Sequence, residues 1–577
     1  MNGHFRVGPW LVAPSLNSIS CKGTTVRLEP KVMEVLVCLA QHPGETLPKD
    51  TLFHTVWPDT FVTDDVLTHA IPELRHAFED DAREPRIIQT IPKRGYRLVA
   101  PVNAAGAAAA PTSLARDSIA VLPFINMSPD AENEYFTDGI TEEIINALAQ
   151  IKELHVVARS SAFSFKGKHI DPRIVGEQLN VRTILEGSVR RADNRLRIMV
   201  QLVNTADGYH LWSERYDREM KDVFEIQDEI ARSIAERLKV TLEGGQEPLV
   251  KAGTKNQDAY QLYLKGRALL YQRGLALPRA LECFKQAVAL DADYALAWAG
   301  LADSYTTLGY NGSARPEAIM PKGLEAARRA EVLDPSLAEA HNALAMACLM
   351  GRWDKVEAEG EFLRALELNP MYIQARDWYA LFYLQCSEGR LDEGVAQAKL
   401  ALESDPLSAY ANALFGFTSS MAGRYVEGVQ ISERAVQLDP ESFIVRWCHR
   451  VTLYFSRGFE EAVAVGELAA AMSGRHPWVM GTLAAALADW GKPSEAEAIY
   501  AELTGRARRS YVPPSVLALT AAAAGNPGQA ICHAREAFEI RDPMSQFFLS
   551  KLHPTSARLL ADPRSHEIPL DMGWLLK

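Results

Sequence analysis

The sequence predicts a multidomain protein that joins three classes of fold: an α+β module with three helices and a closing hairpin, an α/β middle domain, and an all-α repeat solenoid. Three observations carry this reading. Residues 30–99 hold three helical patterns followed by a two-stranded hairpin pattern. Residues 118–240 alternate strand and helix patterns, as a sheet covered by helices requires. From residue 257 onward a motif ending in Asp-Pro or Asn-Pro returns at intervals of 35, 36 and 34 residues.

Totals agree with several domains. The 577 residues exceed what one core holds, and 47% hydrophobic with 23% charged residues describes a folded chain, not a disordered one. The net charge of −12 excludes a protein that coats nucleic acid along its whole length. Residues 1–101 carry eleven Lys and Arg against twelve Asp and Glu, so the acidity lies downstream of them. Seven cysteines are scattered with no C-x-x-C pair, which fits buried thiols in a reducing cytoplasm. No apolar run reaches the ~18 residues of a membrane span, so a cytoplasmic protein without a membrane partner is expected.

The first module is read element by element. Residues 28–41 are amphipathic, with Val32, Val35, Leu36 and Leu39 on one side, Pro30 in the first turn and Gly44 past the end. Residues 49–57 make a second short helix, stopped before Pro58. Thr63 caps a third, with Asp64 and Asp65 in the first turn, where the helix dipole favours them. Leu67, Ile71, Leu74 and Phe78 fall on one stripe of this third helix. The opposite face holds Asp65, His69, Pro72, Glu73 and His76, flanked by Thr68 and Arg75. Residues 85–99 then read as a hairpin with Lys93 and Arg94 at the tip, Gly95 for the turn and Tyr96 to pack back. Positive side chains on a tip beside a helix suit a phosphate backbone.

The stretches Leu28-Glu-Pro-Lys-Val-Met-Glu-Val-Leu, Val62-Thr-Asp-Asp-Val-Leu-Thr-His-Ala-Ile and Gln89-Thr-Ile-Pro-Lys-Arg-Gly-Tyr-Arg carry a resemblance. Residues 5–101 resemble the OmpR/PhoB-type winged-helix effector domain, in the version used by ToxR- and CadC-like regulators. The resemblance implies a strand set, three helices and a hairpin wing, with the third helix in the major groove of double-stranded DNA and the wing on the minor groove or backbone. On that reading Thr68, His69 and Arg75 are the major-groove candidates, His76 joins them at the DNA, and Lys93 and Arg94 meet phosphates or the minor groove, in a homodimer on two half-sites. The chain begins only four residues before the first strand, so no phosphate-accepting domain is expected ahead of it and the signal is expected from the C-terminal side. Pro72 departs from the family pattern. It deletes the bond to the Thr68 carbonyl and crowds it, at roughly 3 kcal/mol or a kink. A second reading therefore stays open: an interaction scaffold whose winged helix no longer reads DNA.

Residues 102–117 are rich in Ala, Pro and Gly and read as a flexible linker. The runs Ile119-Ala-Val-Leu-Pro-Phe, Tyr135-Phe-Thr-Asp-Gly-Ile and Leu211-Trp-Ser-Glu-Arg-Tyr-Asp make residues 118–240 resemble the TolB N-terminal-like domain. Asp138-Gly139 reads as a turn and cap leading into a helix, and no nucleophile–base pair or H-E-x-x-H spacing points to an enzyme, a metal or a cofactor.

Residues 257–543 resemble tetratricopeptide repeats, about eight two-helix units on that period. Residues 311–321 read as an inserted loop and residues 544–577 as a terminal cap. Trp298, Trp353, Trp378, Trp447 and Trp490 are expected to pack between helices. The concave inner face of such an array is expected to stay open for a protein partner.

Overall fold

The computed structural model describes residues 5–8, 10–14, 18–21, 24–57, 65–78, 80, 85–91, 94–100, 102–104, 118–128, 130, 133–151, 154–168, 170–192, 194–238, 253–272, 274–550 and 552–567. They fall into two units, Met1–Leu114 and Ala115–Lys577.

The first unit runs β1 (Phe5–Val7), β2 (Trp10–Ala13), β3 (Ser18–Cys21), β4 (Thr24–Arg27), α1 (Pro30–Gln41), β5 (Thr46–Leu47), α2 (Lys49–Val56), α3 (Asp65–Phe78), β6 (Ile88–Ile91), β7 (Gly95–Leu98) and β8 (Val102–Ala104). One antiparallel sheet has the order β4-β3-β2-β1-β8 and a second has the order β5-β7-β6. The expected stripes are buried: Val32, Val35, Leu36 and Leu39 of α1 share one core with Leu67, Ile71, Leu74 and Phe78 of α3. Trp10 meets Phe78 edge to face at 5.6 Å, which ties the first sheet to the end of α3. The proposed cap Thr63 lies outside the described residues.

The structure corrects one boundary. Residues 102–104 belong to the sheet and not to the linker: Val102 pairs Val7, Asn103 pairs Arg6 and Ala104 pairs Phe5. The free edge of β1 offers unpaired amides and carbonyls to any extended segment beside it. That pairing overrides a composition that reads as linker.

The second unit opens with β9 (Ser118–Val121), β10 (Ile125–Asn126), α4 (Glu134–Ala149), β11 (His155–Val156), α5 (Arg159–Phe163), α6 (Pro172–Leu179), β12 (Thr183–Ala192), β13 (Arg195–Asn204), β14 (His210–Glu219) and α7 (Val223–Leu238). The sheet order is β11-β9-β12-β13-β14, with β10 beside β12. The β11, β9 and β12 strands are parallel and the β12-β13-β14 part is antiparallel, which makes the sheet mixed. Asp138 and Gly139 do not form a turn before the helix. They lie inside α4, whose buried stripe begins ahead of them at Phe136, and α8 (Gln257–Gln272) packs so close that a Cβ on Gly139 would stand 2.7 Å from Leu264 Cδ1.

Eight antiparallel helix pairs follow among the described residues, from α8 with Leu277–Leu290 to Pro514–Ala523 with Pro527–Glu539. The inserted loop is shorter than expected. Helix Pro316–Leu333 begins on Pro316 and continues through Pro321. Pro321 forfeits one helix bond, yet buried Met320, Gly323, Ala326, Ala327 and Ala330 hold the helix against its neighbours.

The α/β domain and the repeats are one body. Glu142 of α4 accepts from Arg159 Nε at 3.1 Å and from Tyr271 Oη at 2.8 Å, and it also pairs with Arg267. Burial pushes the Glu142 carboxyl up, but the Arg267 and Arg159 guanidiniums outweigh it and hold the group below the ordinary carboxylate value. Farther along, Ser161 donates its amide at 2.8 Å to Asp405, in the turn between the fourth and fifth pairs.

The inner face of the array is also filled, contrary to the open concavity expected. Tyr310 of the second pair stacks on Trp478 of the seventh, with centroids 6.0 Å apart and planes 19° apart. Arg315 lies 5.5 Å from the Tyr511 ring centroid, and Gln546 of the C-terminal cap donates to the Leu349 carbonyl. Turns from the beginning and end of the array thus close on each other.

Candidate nucleic-acid interface

The third helix is amphipathic in the way the sequence demands. Leu67, Ala70, Ile71, Leu74, Ala77 and Phe78 are buried, which leaves His69, Pro72 and His76 exposed on the other side. Pro72 sits within a helix that runs from Asp65 to Phe78. Of the residues assigned to the interface, Thr68 lies in this helix with its side chain outside the described residues, and Lys93 lies outside them entirely. Arg94 is exposed at the hairpin tip, its amide bonded to the Ile91 carbonyl at 3.0 Å.

Arg75 is placed differently from the two histidines. It is half-buried, with its guanidinium bonded to the Ile88 carbonyl and to Thr90 Oγ1 at 2.8 Å. It therefore braces α3 against wing strand β6. Glu73 braces the other side. Its carboxylate lies 3.6 Å from His69 Nε2 and accepts the Glu29 amide at the start of α1 at 3.4 Å.

Two further residues set the wing, and sequence reasoning missed the role of both. Asp80 follows α3 and accepts the amides of Arg86 (2.7 Å), Ile87 (3.2 Å) and Ile88 (2.8 Å). Those amides lead into β6, with Ile88 its first residue, so one carboxylate fixes where the wing leaves the helix. Gly95, read as a turn residue, is the first residue of β7 at φ +135°, and a Cβ there would stand 1.9 Å from the Leu47 carbonyl oxygen. Only glycine lets β7 approach β5 this closely.

Glu29, His69 and Glu73 bring one ligand atom each to within 4.8 Å of one another. Two are exposed and the third is half-buried, an arrangement surface carboxylates adopt without an ion.

Three helices between two small sheets, with an exposed helix face beside a basic hairpin tip, define a winged helix-turn-helix module followed by an α/β domain and a helical repeat array. Residues 23–98 match the family model described as transcriptional regulatory protein, C terminal. The middle domain, likened to TolB from its sequence, matches over residues 115–233 the model described as HilA/YgeH-like transcriptional regulator, second domain. Among curated relatives, the chain is 41% identical over 249 residues to "Putative adenylate cyclase 3" of Rhizobium meliloti, covering 42% of each chain. It is 49% identical over 98 residues to the transcriptional activator CadC of Escherichia coli, covering 17% of this chain and 19% of that one. It is 24% identical over 457 residues to the transcriptional regulator HilA of Salmonella typhimurium, covering 77% of this chain and 72% of that one. The chain thus spans under half the length of the first two relatives.

Proposed function

We propose that this chain is a sequence-specific DNA-binding transcriptional regulator, acting by binding and not by catalysis. The observation that carries the reading is the exposed His69, Pro72 and His76 face of α3, set beside the Arg94 wing tip by the Arg75 and Asp80 braces. Helix and wing are held in one register, as groove and backbone contacts made together require. The match to a regulatory effector domain and the likeness to two regulators by name support it. In this reading His69, His76 and Thr68 meet base edges, Arg94 and Lys93 meet phosphates, and two copies bind two half-sites in the cytoplasm. Among the described residues no helix is long and apolar enough to cross a membrane.

The fused C-terminal unit receives the signal. A protein partner would meet the outer helices of the array, where Val332 is 69%, Val356 86% and Val426 75% exposed, since the inner face is filled.

Fluorescence anisotropy of the full chain on DNA from its own upstream region, across a salt series, tests the reading. Binding that prefers one sequence and falls with salt, by a slope of about −0.9 per phosphate contact, is expected. Pro72 in the middle of the presented face favours a second reading, an interaction scaffold. That reading gains if no salt-sensitive binding appears at low salt and Pro72→Ser restores it.

A further inference from the structure

The sheet of the α/β domain ends in a long strand with one free side. β14 pairs β13, and among the described residues no strand lies beyond it. Its residues 213–219 read Ser-Glu-Arg-Tyr-Asp-Arg-Glu, with Tyr216 buried, Asp217 half-buried and the rest exposed. Proline, lysine and bulges are common devices that keep an edge from pairing. Residues 213–219 hold neither proline nor lysine, and the register shift against β13 lies before Trp212.

The ladder fixes which backbone groups face outward. The Met220 amide donates to the Asn194 carbonyl at 2.9 Å. Antiparallel pairs alternate between hydrogen-bonded and non-bonded. Arg218, Tyr216 and Glu214, which pair with Leu196, Ile198 and Val200, therefore also turn their backbone groups toward β13. The far side of β13 agrees: the Thr205 amide, just past that strand, donates to the Arg182 carbonyl beside β12 at 2.9 Å. Ser213, Arg215, Asp217 and Glu219 are left to turn their backbone groups to the free side.

A second β14 can add antiparallel to this side about a two-fold axis. Outward-facing residues must then meet one another, so the axis passes through a residue and not between two. An axis at Glu214, Arg215, Asp217 or Arg218 sets that charge against its own copy. An axis at Tyr216 sets Arg215 against Asp217 and Glu214 against Arg218, each twice, and pairs Ser213 with Glu219. Axes farther out bring fewer of these residues together. Opposite charges directly across a strand pair stabilise it, and like charges oppose it.

We propose that β14 is the joint of a homodimer, in which two copies of this strand pair antiparallel about Tyr216. Arg215 of one copy joins Asp217 of the other, beside Arg197, which already holds Asp217 at 3.0 Å. Main-chain bonds give the joint its affinity, and the charge pairs give it one register. The joint supplies the two copies that the DNA-binding reading asks for, yet it forms without DNA. Its test leaves DNA out, so the failure of either reading is separate from that of the other.

Sedimentation velocity of the full chain across a concentration series makes the test. A reversible dimer is expected. Glu214→Arg sets like charge against Arg218 of the second copy, and Arg218→Glu does so against Glu214, each twice by symmetry. Each variant alone is expected to dimerise about tenfold more weakly. An equimolar mixture of the two recovers the dimer, because each changed residue then faces an opposite charge. Ser213→Pro removes one outward amide and no bond to β13, and it too weakens the dimer. Should a charge variant lose its circular dichroism, Ser213→Pro decides. A natural chain that stays single at every concentration overturns the proposal. So does a dimer that Glu214→Arg and Ser213→Pro leave unchanged, and so does a mixture of the two charge variants that recovers nothing.

Discussion

Arg75 of the third helix donates to the Ile88 carbonyl of the wing, from Nε at 3.3 Å and from Nη2 at 3.0 Å. With Thr90 Oγ1 as a further acceptor, this arginine must break existing bonds before it can reach a base edge. Arg75→Ala is therefore expected to lower affinity for all DNA sequences together and to leave the order of preference among them intact. Loss of a charge-assisted bond of this kind costs about 1.5–3 kcal/mol. Anisotropy on a panel of single-base changes separates the outcomes: a preference lost at one position alone would make Arg75 a base reader.

Asp80 is expected to matter as much as any residue on the presented face. Its carboxylate accepts three consecutive amides, Arg86 to Ile88, and Asp80→Ala leaves those amides without it. Unpaired buried donors cost about 1–3 kcal/mol each, and the Ile88 end is the more buried. Hydrogen exchange should show amides 86–88 losing protection while α1 keeps its own. Asp80→Asn, which retains one acceptor oxygen, should fall between.

Much of the module was legible because its signals are local. The α3 stripe is a 3.6-residue pattern, and burial of Leu67, Ile71, Leu74 and Phe78 follows from it. The braces were not legible, since their partners are remote: Arg75 meets Ile88 13 residues on, and Glu73 meets Glu29 44 residues back. A pattern read along one helix assigns a side chain to a face and not to a partner. The same limit hid β8, whose pairing depends on the free edge of β1. It also hid the filled inner face, because closure is set by small rotations accumulated over the helix pairs that separate Tyr310 from Trp478.

Gly95→Ala tests the close approach of the wing strand. A Cβ 1.9 Å from the Leu47 oxygen cannot be accommodated without moving β7 off β5. The positive φ adds backbone strain of about 1–3 kcal/mol. A lower melting temperature of the N-terminal unit is expected, with weaker DNA binding in proportion to the wing's displacement. An unchanged melting profile in the full chain would contradict the packing described.

Arg94 is the exposed cation at the wing tip among the described residues of that turn. Arg94→Ala should reduce the slope of log affinity against log salt by about 0.9 if the side chain meets one phosphate. The affinity loss should be the same on specific and nonspecific DNA, because a phosphate contact carries no sequence information. An unchanged slope would remove the wing tip from the interface.

His341, inside the repeat array, gives the C-terminal unit a predictable response to pH. Its Nδ1 stands 2.6 Å from Glu361 Oε2 and its Nε2 stands 2.9 Å from the Pro335 carbonyl oxygen. Both neighbours are acceptors, so both ring nitrogens must carry hydrogen, which is the imidazolium form. The Glu361 carboxylate raises the His341 pKa above 6.5, against the opposing effect of burial. A raised histidine stabilises the fold fully below its unfolded value of about 6.5, and that stabilisation is lost as pH rises through the folded value. The melting temperature of the natural chain should therefore fall relative to His341→Gln as pH climbs above about 6.5, and the two should differ most on the acid side. Below that pH the variant should be less stable by about 1.5–3 kcal/mol, the usual worth of a bond to a charged group. Parallel melting curves for the two proteins across this range would show that the imidazolium is not what holds Glu361 to Pro335.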